Sequence, residues 1–191
     1  MEYQRIAPIM SLLWSPIAAV TARWGGRVNA QIAVAIGGAS IVPERPRVVV
    51  QLYKTNLTHE MVANSRALAF NFLAKDQLDL IREFGFVSGR DQDKLKGKAY
   101  RLGITGSPIL DGCFAYLDCR VVNAMDGGDM TCFLAEVLDG DARSDIEPLW
   151  WSYARTAMPT AWLEEWNEKI KREIRISTER MDTIVRGPVA Q

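Results

Sequence analysis

The amino-acid sequence predicts a mainly β protein, a barrel or sandwich with α additions and one long C-terminal helix. Short runs rich in β-branched residues recur between residues 16 and 136, and glycine and proline turns separate them. The chain has 191 residues, which is enough for one domain with a substantial hydrophobic core. We therefore expect a β domain at residues 1–145 and a helical C-terminal extension at residues 146–191.

Six strands are predicted in order along the chain. They cover residues 16–23, 28–36, 47–53, 68–73, 113–124 and 130–138. A Gly-Gly turn at residues 25–26 joins the first two as a hairpin, and the DGG turn at residues 126–128 joins the last two. Residues 47–53 form a nearly continuous apolar, β-branched run (RVVVQLY), which predicts a strand buried on both faces.

Three helices are predicted in addition. They cover residues 56–65 (or 58–65), 77–84 and 160–186. The sequence NLTHEMV gives the first helix capping residues before an apolar face. In the third, Trp162, Trp166, Ile170 and Ile174 recur every fourth residue among charged neighbours, the pattern of an amphipathic helix. Two interpretations of this helix are open: it packs on its own barrel, or it crosses to a partner subunit and helps to build a dimer.

Composition argues against several classes of function. The 23 basic and 23 acidic residues cancel, so there is no electrostatic reason to bind nucleic acid. No apolar stretch reaches the ~18 residues that a membrane span requires, and Pro8 and Pro16 interrupt the N-terminal apolar run. We therefore expect a cytoplasmic protein. Three cysteines without a CxxC pair and a single histidine predict no metal site, and Cys119 is expected to be a buried thiol.

The segment KTNLTHE, residues 54–60, is the most informative motif for function. It follows a predicted strand and opens a predicted helix, whose free backbone N–H groups and partial positive charge suit a phosphate. Lys54 adds a cation, and Asn56 and Thr58 add short polar side chains. From the residues alone, a capped surface helix with an incidental lysine is the alternative interpretation.

Four sequence blocks resemble the flavin-reductase-like, FMN-binding split-barrel family. They are NAQIA at residues 29–33, KTNLTHE at 54–60, FGFVSGRDQDK at 84–94, and the late hairpin at 106–137. They occur in the family's order and cover about residues 10 to 140. Within the family, the chain is most similar to the branch of ferric reductases, flavoredoxin and the flavin domains of high-molecular-weight rubredoxins.

The resemblance implies an FMN-binding split barrel with Greek-key-like order, a homodimer, and a set of cofactor-binding residues. Phosphate binding is implied for Lys54, Thr55, Asn56 and Thr58. Contact with the flavin ring is implied for the backbone of Gln31, Ala33, Val34 and Ala35, and a further contact for Lys94. Arg90 is either a second cation or a solvated charge, and His59 is expected to be structural. No catalytic side chain is nominated, because the flavin itself accepts a hydride.

The chain departs from the family pattern at two places. Ile32, Val34 and Ala35 are apolar where relatives often carry polar residues, which predicts a more apolar pocket floor. Met130 stands where relatives commonly carry a histidine in the turn of the late hairpin. Aromatic residues at 150–151 either cover the flavin or pack between barrel and tail.

Three functions are compatible with these observations. The first is an FMN oxidoreductase that takes a hydride from NAD(P)H and passes electrons to flavin, ferric iron or a protein. The second is an FMN electron carrier that a redox-protein partner reduces, which the loss of the turn histidine favours. The third is a split-barrel protein without reductase activity that binds another ligand such as heme.

Overall fold

The computed structural model describes residues 16–181. The N-terminal apolar run that Pro8 and Pro16 interrupt therefore lies outside the described residues, except for Pro16 itself. The last part of the predicted C-terminal helix, residues 182–186, lies outside them as well. No helix within the described range is long and apolar enough to cross a membrane.

A curled antiparallel sheet is the centre of the fold. Seven strands hydrogen-bond in the order β2-β1-β5-β8-β9-β4-β3, and β6 and β7 form a separate pair. The strands are β1 (Ala18–Trp24), β2 (Arg27–Ala33), β3 (Ile36–Gly38), β4 (Arg47–Tyr53), β5 (Ala67–Phe72), β6 (Tyr100–Leu102), β7 (Pro108–Leu110), β8 (Ala115–Asp126) and β9 (Met130–Ala142). The prediction of a mainly β barrel-like fold is confirmed.

The two edges of this sheet meet where the chain passes from β2 to β3. These strands stand at opposite ends of the sheet order, yet only Val34 and Ala35 separate them in sequence. The Gln51 amide of β4 donates to the Ala35 carbonyl at 3.1 Å, which extends the pairing between β3 and β4 toward β2. The sheet therefore curls until β2 approaches β4, and β2 remains an open strand edge in the sense that β1 is its one strand partner within residues 16–181.

Side chains alternate along β2 and divide the interior into two cores. Ala33 lies in the first core, with the inner faces of β1, β4, β5 and β9. Ala30 lies in the second core, and Val28, Ile32 and Val34 pack against it. Asn29, Gln31 and Ala33 therefore face the first core, and the even-numbered residues face the second.

Four helices complete the described part of the chain. They are α1 (Leu57–Ser65), α2 (Asp79–Gly85), α3 (Trp151–Ala157) and α4 (Thr160–Met181). Helix α1 buries Leu57, Met61 and Val62 in the first core. Helices α2 and α3 cover the second core, together with the N-terminal part of α4.

Most predicted elements are found, with three differences. The predicted second strand ends at Ala33, and its last residue, Ile36, belongs to β3, where it pairs with β4 together with Gly37 and Gly38. Strand β4 has the predicted bounds, but its expected burial on both faces is wrong, because Val50 and Leu52 are buried while Gln51 is exposed. Two short strands and helix α3 were not predicted. The prediction for Cys119 is confirmed: it is fully buried, and burial raises its thiol pKa to about 12.

Candidate functional site

The start of α1 is a helix N-terminus with unoccupied amides. Asn56 precedes the helix in extended conformation, and no side chain caps the helix start. The Asn56 amide donates to the Tyr53 carbonyl, and the first helical bond runs from the Glu60 amide to the Asn56 carbonyl. The amides of residues 57–59 therefore have no helical acceptor, which is the arrangement that attracts an anion.

Lys54 lies three residues before this helix and is held by the turn between β8 and β9. Its ammonium forms an ion pair with the Asp126 carboxylate, with 2.6 Å between Nζ and Oδ1. Its backbone amide donates to the Asp129 carbonyl at 2.9 Å. The hydrogen bond from Lys54, and a second from the Gly128 amide, lower the pKa of Asp126. The second and fourth sequence blocks therefore meet at Lys54.

A buried contact joins the other two blocks to α1. Asn29 of β2 donates from Nδ2 to the Thr58 hydroxyl at 2.8 Å, and both side chains are buried. Gly89 lies directly over Asn29: a Cβ atom at residue 89 would stand no farther than 2.6 Å from the Asn29 amide-group atoms. Only glycine fits there without displacement of Asn29. This contact fixes the 86–94 loop against β2 and the first turn of α1.

Arg90 ties the same loop to the helix start from outside. Its guanidinium donates to the Thr55 carbonyl and to the Glu60 carboxylate, each at 2.8 Å. Arg27 donates to the Gly89 carbonyl at 3.1 Å. Of the two sequence interpretations, these contacts favour a second cation beside the helix start over a solvated charge, and a role for Arg90 toward the cofactor stays a prediction. Arg90 is a partly exposed cation paired with an acidic side chain.

Lys94 lies deeper, between β2 and α2. Its ammonium is buried and donates to the Ala30 carbonyl at 3.0 Å and to the Phe84 carbonyl at 2.7 Å. Burial, together with the nearby Lys169 charge, lowers the pKa of Lys94 to about 8. In this arrangement, Lys94 holds the 86–94 loop and α2 against the backbone of β2.

The residues for which the resemblance implies contact with the flavin ring are all on β2 or directly after it. Ala33 and Gln31 face the first core, and Val34 and Ala35 form the bridge to β3. Gln31 is 5% exposed, and its side-chain oxygen is buried without a hydrogen-bond partner among residues 16–181. An unsatisfied buried acceptor on the strand beside an open sheet edge indicates a place where a donor is missing.

His59 is positioned as a structural residue. Its Nε2 atom is 2.8 Å from the Thr131 hydroxyl, and its ring packs at 5.4 Å from the ring of Phe133. Burial, followed by the charge of Lys54, lowers the pKa of His59, so the ring is neutral at neutral pH. The described contacts thus join α1 to β9.

The C-terminal helix packs on its own chain in its first half. Trp166 contacts Phe86 and Trp151, each at 5.5 Å between ring centroids. Arg82 forms an ion pair with Glu165 at 3.1 Å. The buried Trp151 belongs to the second core, whereas Trp150 is exposed. The second half of α4 leaves three large apolar side chains exposed: Ile174, Ile176 and Met181.

The structure brings the four sequence blocks together but divides the predicted site residues into two groups. Lys54, Thr55 and Asn56 are partly accessible at the start of α1, whereas Thr58 and Lys94 are buried and engaged with protein groups. Sequence reasoning did not identify Asp126, Asn29 and Gly89. Asn29 and Gly89 belong to two of the sequence blocks that resemble the family, so the resemblance itself could have indicated that these two residues matter. The pairing of Asp126 with Lys54, 72 residues apart, had no local signal.

Chemically, the site offers a cation, unoccupied amides and an open strand edge. It suits an anionic group attached to a flat polar ring. No group of three or more potential metal ligands occurs within residues 16–181.

Comparison with known proteins gives a consistent result. A family model for the flavin reductase like domain matches residues 10–159. The high molecular weight rubredoxin of Moorella thermoacetica is 35% identical over 136 residues, which are 70% of this chain and 58% of that protein. This chain therefore spans less than two thirds of that relative. The ferric-chelate reductase (NAD(P)H) of Archaeoglobus fulgidus is 31% identical over 132 residues, 68% of this chain and 77% of that protein.

A solved structure shares the fold. The FMN-binding protein of Thermus thermophilus, crystallised with p-hydroxybenzaldehyde, aligns with a TM-score of 0.63 and 29% sequence identity. The alignment covers 68% of this chain and 73% of that one. The predicted split-barrel architecture is thereby confirmed.

Proposed function

This chain belongs to the family of flavin reductase like domains, and on that premise we propose that it binds FMN and works as an oxidoreductase. The observation that carries the proposal is the start of α1. There, uncapped amides follow Lys54 within a few residues, at the point where the sequence resemblance implies the phosphate. The curated relatives named above include a reductase that is named for NAD(P)H.

The phosphate end of FMN fits the residues present. A dianion would accept hydrogen bonds from the amides of residues 57–59 and from the Lys54 ammonium. Such charge-assisted hydrogen bonds contribute about 1.5–3 kcal/mol each. Thr55 and Asn56 lie beside these groups and remain partly accessible. Thr58 supports the site indirectly: its buried hydroxyl group accepts a hydrogen bond from Asn29 and so joins the first turn of α1 to β2.

The ring end of FMN fits the edge of β2. The backbone of residues 31–33 pairs with β1 on one side and has no second strand partner within residues 16–181, and the Ala35 carbonyl that follows accepts from the Gln51 amide of β4. A flavin ring has both N–H and carbonyl groups at its polar edge, so it can pair with such an edge and supply the donor that the Gln31 oxygen lacks. Lys94 acts through Ala30, since its ammonium fixes the carbonyl of that residue.

The redox chemistry would come from the flavin, whose ring accepts a hydride and passes electrons on. The protein's own residues would bind and orient it, and no side chain needs to move a proton. NAD(P)H is the proposed reductant, with free flavin, ferric iron or a protein as acceptor. The second candidate is an electron carrier reduced by a partner protein. Met130 favours the carrier, because it cannot donate the hydrogen bond that a histidine in that turn would make.

We also propose a homodimer in the cytoplasm. Ile174 and Met181 lie seven residues apart on one side of α4 and are both exposed, which supports a subunit contact on that side of the helix. Mass measurement by light scattering after size exclusion tests the dimer. A mass near that of one chain would contradict it.

The absorption spectrum of the purified protein tests the cofactor and the reductant. We expect a flavin spectrum that bleaches under anaerobic conditions when NADH or NADPH is added. A flavin spectrum that persists, but bleaches with a reduced redox protein, would favour the carrier. Absence of flavin even after incubation with FMN would refute the proposal.

Lys54→Ala tests the phosphate site specifically. Loss of one charge-assisted contact of about 1.5–3 kcal/mol corresponds to FMN affinity about 10- to 150-fold weaker, whereas riboflavin affinity should not change. The double variant with Thr58→Ala should bind FMN more weakly still. Lys75→Ala is the matched control, because Lys75 also forms an ion pair, but with Glu147. Unchanged FMN affinity in fluorescence titration of Lys54→Ala would refute the phosphate assignment.

A further inference from the structure

Two cations beside the start of α1 already carry an acidic partner from the same chain. Lys54 is paired with Asp126, and Arg90 with Glu60. The charges of these two cations are therefore each matched by a carboxylate, while Arg180 adds a positive charge that acts on His59 in the first turn of α1. Uncapped helix amides remain, but the lysine that would add the strongest contact is shared with a carboxylate.

Asp126 is held in place independently of Lys54. Its Oδ1 atom also accepts a hydrogen bond from the Gly128 amide at 2.8 Å, within the turn between β8 and β9. The turn is further closed by a hydrogen bond from the Gly127 amide to the Met130 carbonyl. The Lys54 backbone fastens the turn to β4 through the Asp129 carbonyl. The Asp126 carboxylate is therefore held in the turn by a contact that does not depend on Lys54.

The Asp126 carboxylate is also ionised under ordinary conditions, because two hydrogen bonds lower its pKa. A phosphate dianion that approaches Lys54 thus meets a fixed negative charge that competes for the same ammonium. Riboflavin, which has the same ring system but no phosphate, does not meet this competition. The Asp126 charge should therefore change the affinity for FMN but not the affinity for riboflavin.

Resting on the proposed FMN function, we propose that Asp126 determines how strongly the site prefers phosphorylated over unphosphorylated flavin. Asp126 is an internal counter-anion that weakens FMN binding relative to a site with an unpaired Lys54. Its carboxylate lies on Lys54, at the proposed phosphate end of the site, so riboflavin affinity should not depend on it. The natural protein would then bind FMN in an exchangeable manner, as suits a flavin that is taken up and released.

Asp126→Asn tests this role, because the amide keeps an oxygen for the Gly128 and Lys54 hydrogen bonds and removes only the charge. Partly exposed ion pairs are worth up to about 1 kcal/mol, so we expect FMN to bind about two- to fivefold more tightly at low salt. The gain should shrink at high salt, since charges are screened within about 3 Å at 1 M. Riboflavin affinity should stay the same. Isothermal titration with both ligands at two salt concentrations measures these effects.

Asp129→Asn is the matched control. It removes one negative charge from the same turn, and the Asp129 carboxylate makes no ion pair within residues 16–181. FMN affinity in this variant should change less than in Asp126→Asn. Asp126→Ser serves as a second variant if the asparagine variant does not fold, since a hydroxyl oxygen can also accept the Gly128 hydrogen bond.

The outcomes separate this inference from the function on which it rests. Wild-type binding of FMN with unchanged or weaker FMN affinity in both Asp126 variants would overturn the inference alone, and would mean that Asp126 positions Lys54. An equal gain for FMN and riboflavin would also overturn it. Failure of the wild-type protein to bind either flavin would overturn the proposed function and the inference together.

Discussion

Replacing Gly89 with alanine should disrupt the contact that joins three of the sequence blocks. The added Cβ atom would stand within 2.6 Å of the Asn29 side-chain amide, so Asn29 must move. Asn29 is buried and already donates to the Thr58 hydroxyl, so movement breaks a buried hydrogen bond. Overpacking costs about 1–3 kcal/mol and the lost hydrogen bond about 1 kcal/mol. We therefore expect the free energy of unfolding to fall by about 2–4 kcal/mol.

Removing the Asn29 amide should remove most of this effect. Asn29→Ala alone should cost about 1–3 kcal/mol, because it takes away the partner of the buried Thr58 hydroxyl. In the double variant Gly89→Ala with Asn29→Ala, the clashing atoms are absent. The double variant should therefore be about as stable as Asn29→Ala, and the two single effects should not add.

Urea and thermal denaturation of the four proteins measure this cycle. For a chain of this size, 2–4 kcal/mol corresponds to a fall in melting temperature of roughly 4–16 °C. Gly38→Ala is the control, since a Cβ at this exposed position in β3 meets open space. A loss below about 0.5 kcal/mol in Gly89→Ala, or additive single effects, would refute the reasoning, because surface substitutions reach that size without any clash.

Three further predictions follow from other contacts. Because burial lowers the pKa of Lys94 to about 8, the unfolded chain binds more protons than the folded one between about pH 8 and 10.5. The free energy of unfolding should therefore gain up to about 1.4 kcal/mol per pH unit in this window, relative to Lys94→Met. Trp166→Ala removes two aromatic contacts worth about 1–3 kcal/mol together, and should speed hydrogen exchange in α4 while the barrel's exchange stays unchanged. Thr58→Ala leaves the Asn29 amide without its acceptor and should cost about 1–3 kcal/mol in urea denaturation, most of which Thr58→Ser restores.

Much of the sheet was predictable because its strands carry their own signals. The run RVVVQLY gave β4 its observed bounds, and the DGG turn placed the late hairpin. The prediction that β4 is buried on both faces was wrong because a curled sheet has an outer surface that faces solvent. The apolar run of a single strand does not show whether other elements cover its outer face. Strands β6 and β7, of three residues each, carry too short a pattern to detect.

The site was predictable as a set of blocks but not as a set of contacts. The resemblance implied cofactor-binding residues in three of the blocks, at residues 31–33, 54–58 and 94, and the structure brings these blocks into contact. The role of each side chain depended on partners far along the chain. Lys94 was expected to contact the cofactor. In the structure, its ammonium donates to two backbone carbonyls, and one of them belongs to Ala30, 64 residues away in sequence. Its contact with a flavin stays a prediction.

The apolar residues on β2 have a packing explanation that the sequence could not supply. Ile32 and Val34 face the second core, and a Cβ at Gly85 would lie 3.3 Å from Ile32 and 3.9 Å from the Trp166 ring. A polar side chain at residue 32 would be placed under α2 and the first half of α4, where it would need a buried hydrogen-bond partner. The departure from the family pattern therefore follows from the helices that cover this face of β2. Asn29 and Gln31, on the other face of the strand, keep their polar groups, and Asn29 donates to Thr58 at the start of α1, so the apolar residues at 32 and 34 leave these polar groups of the proposed site in place.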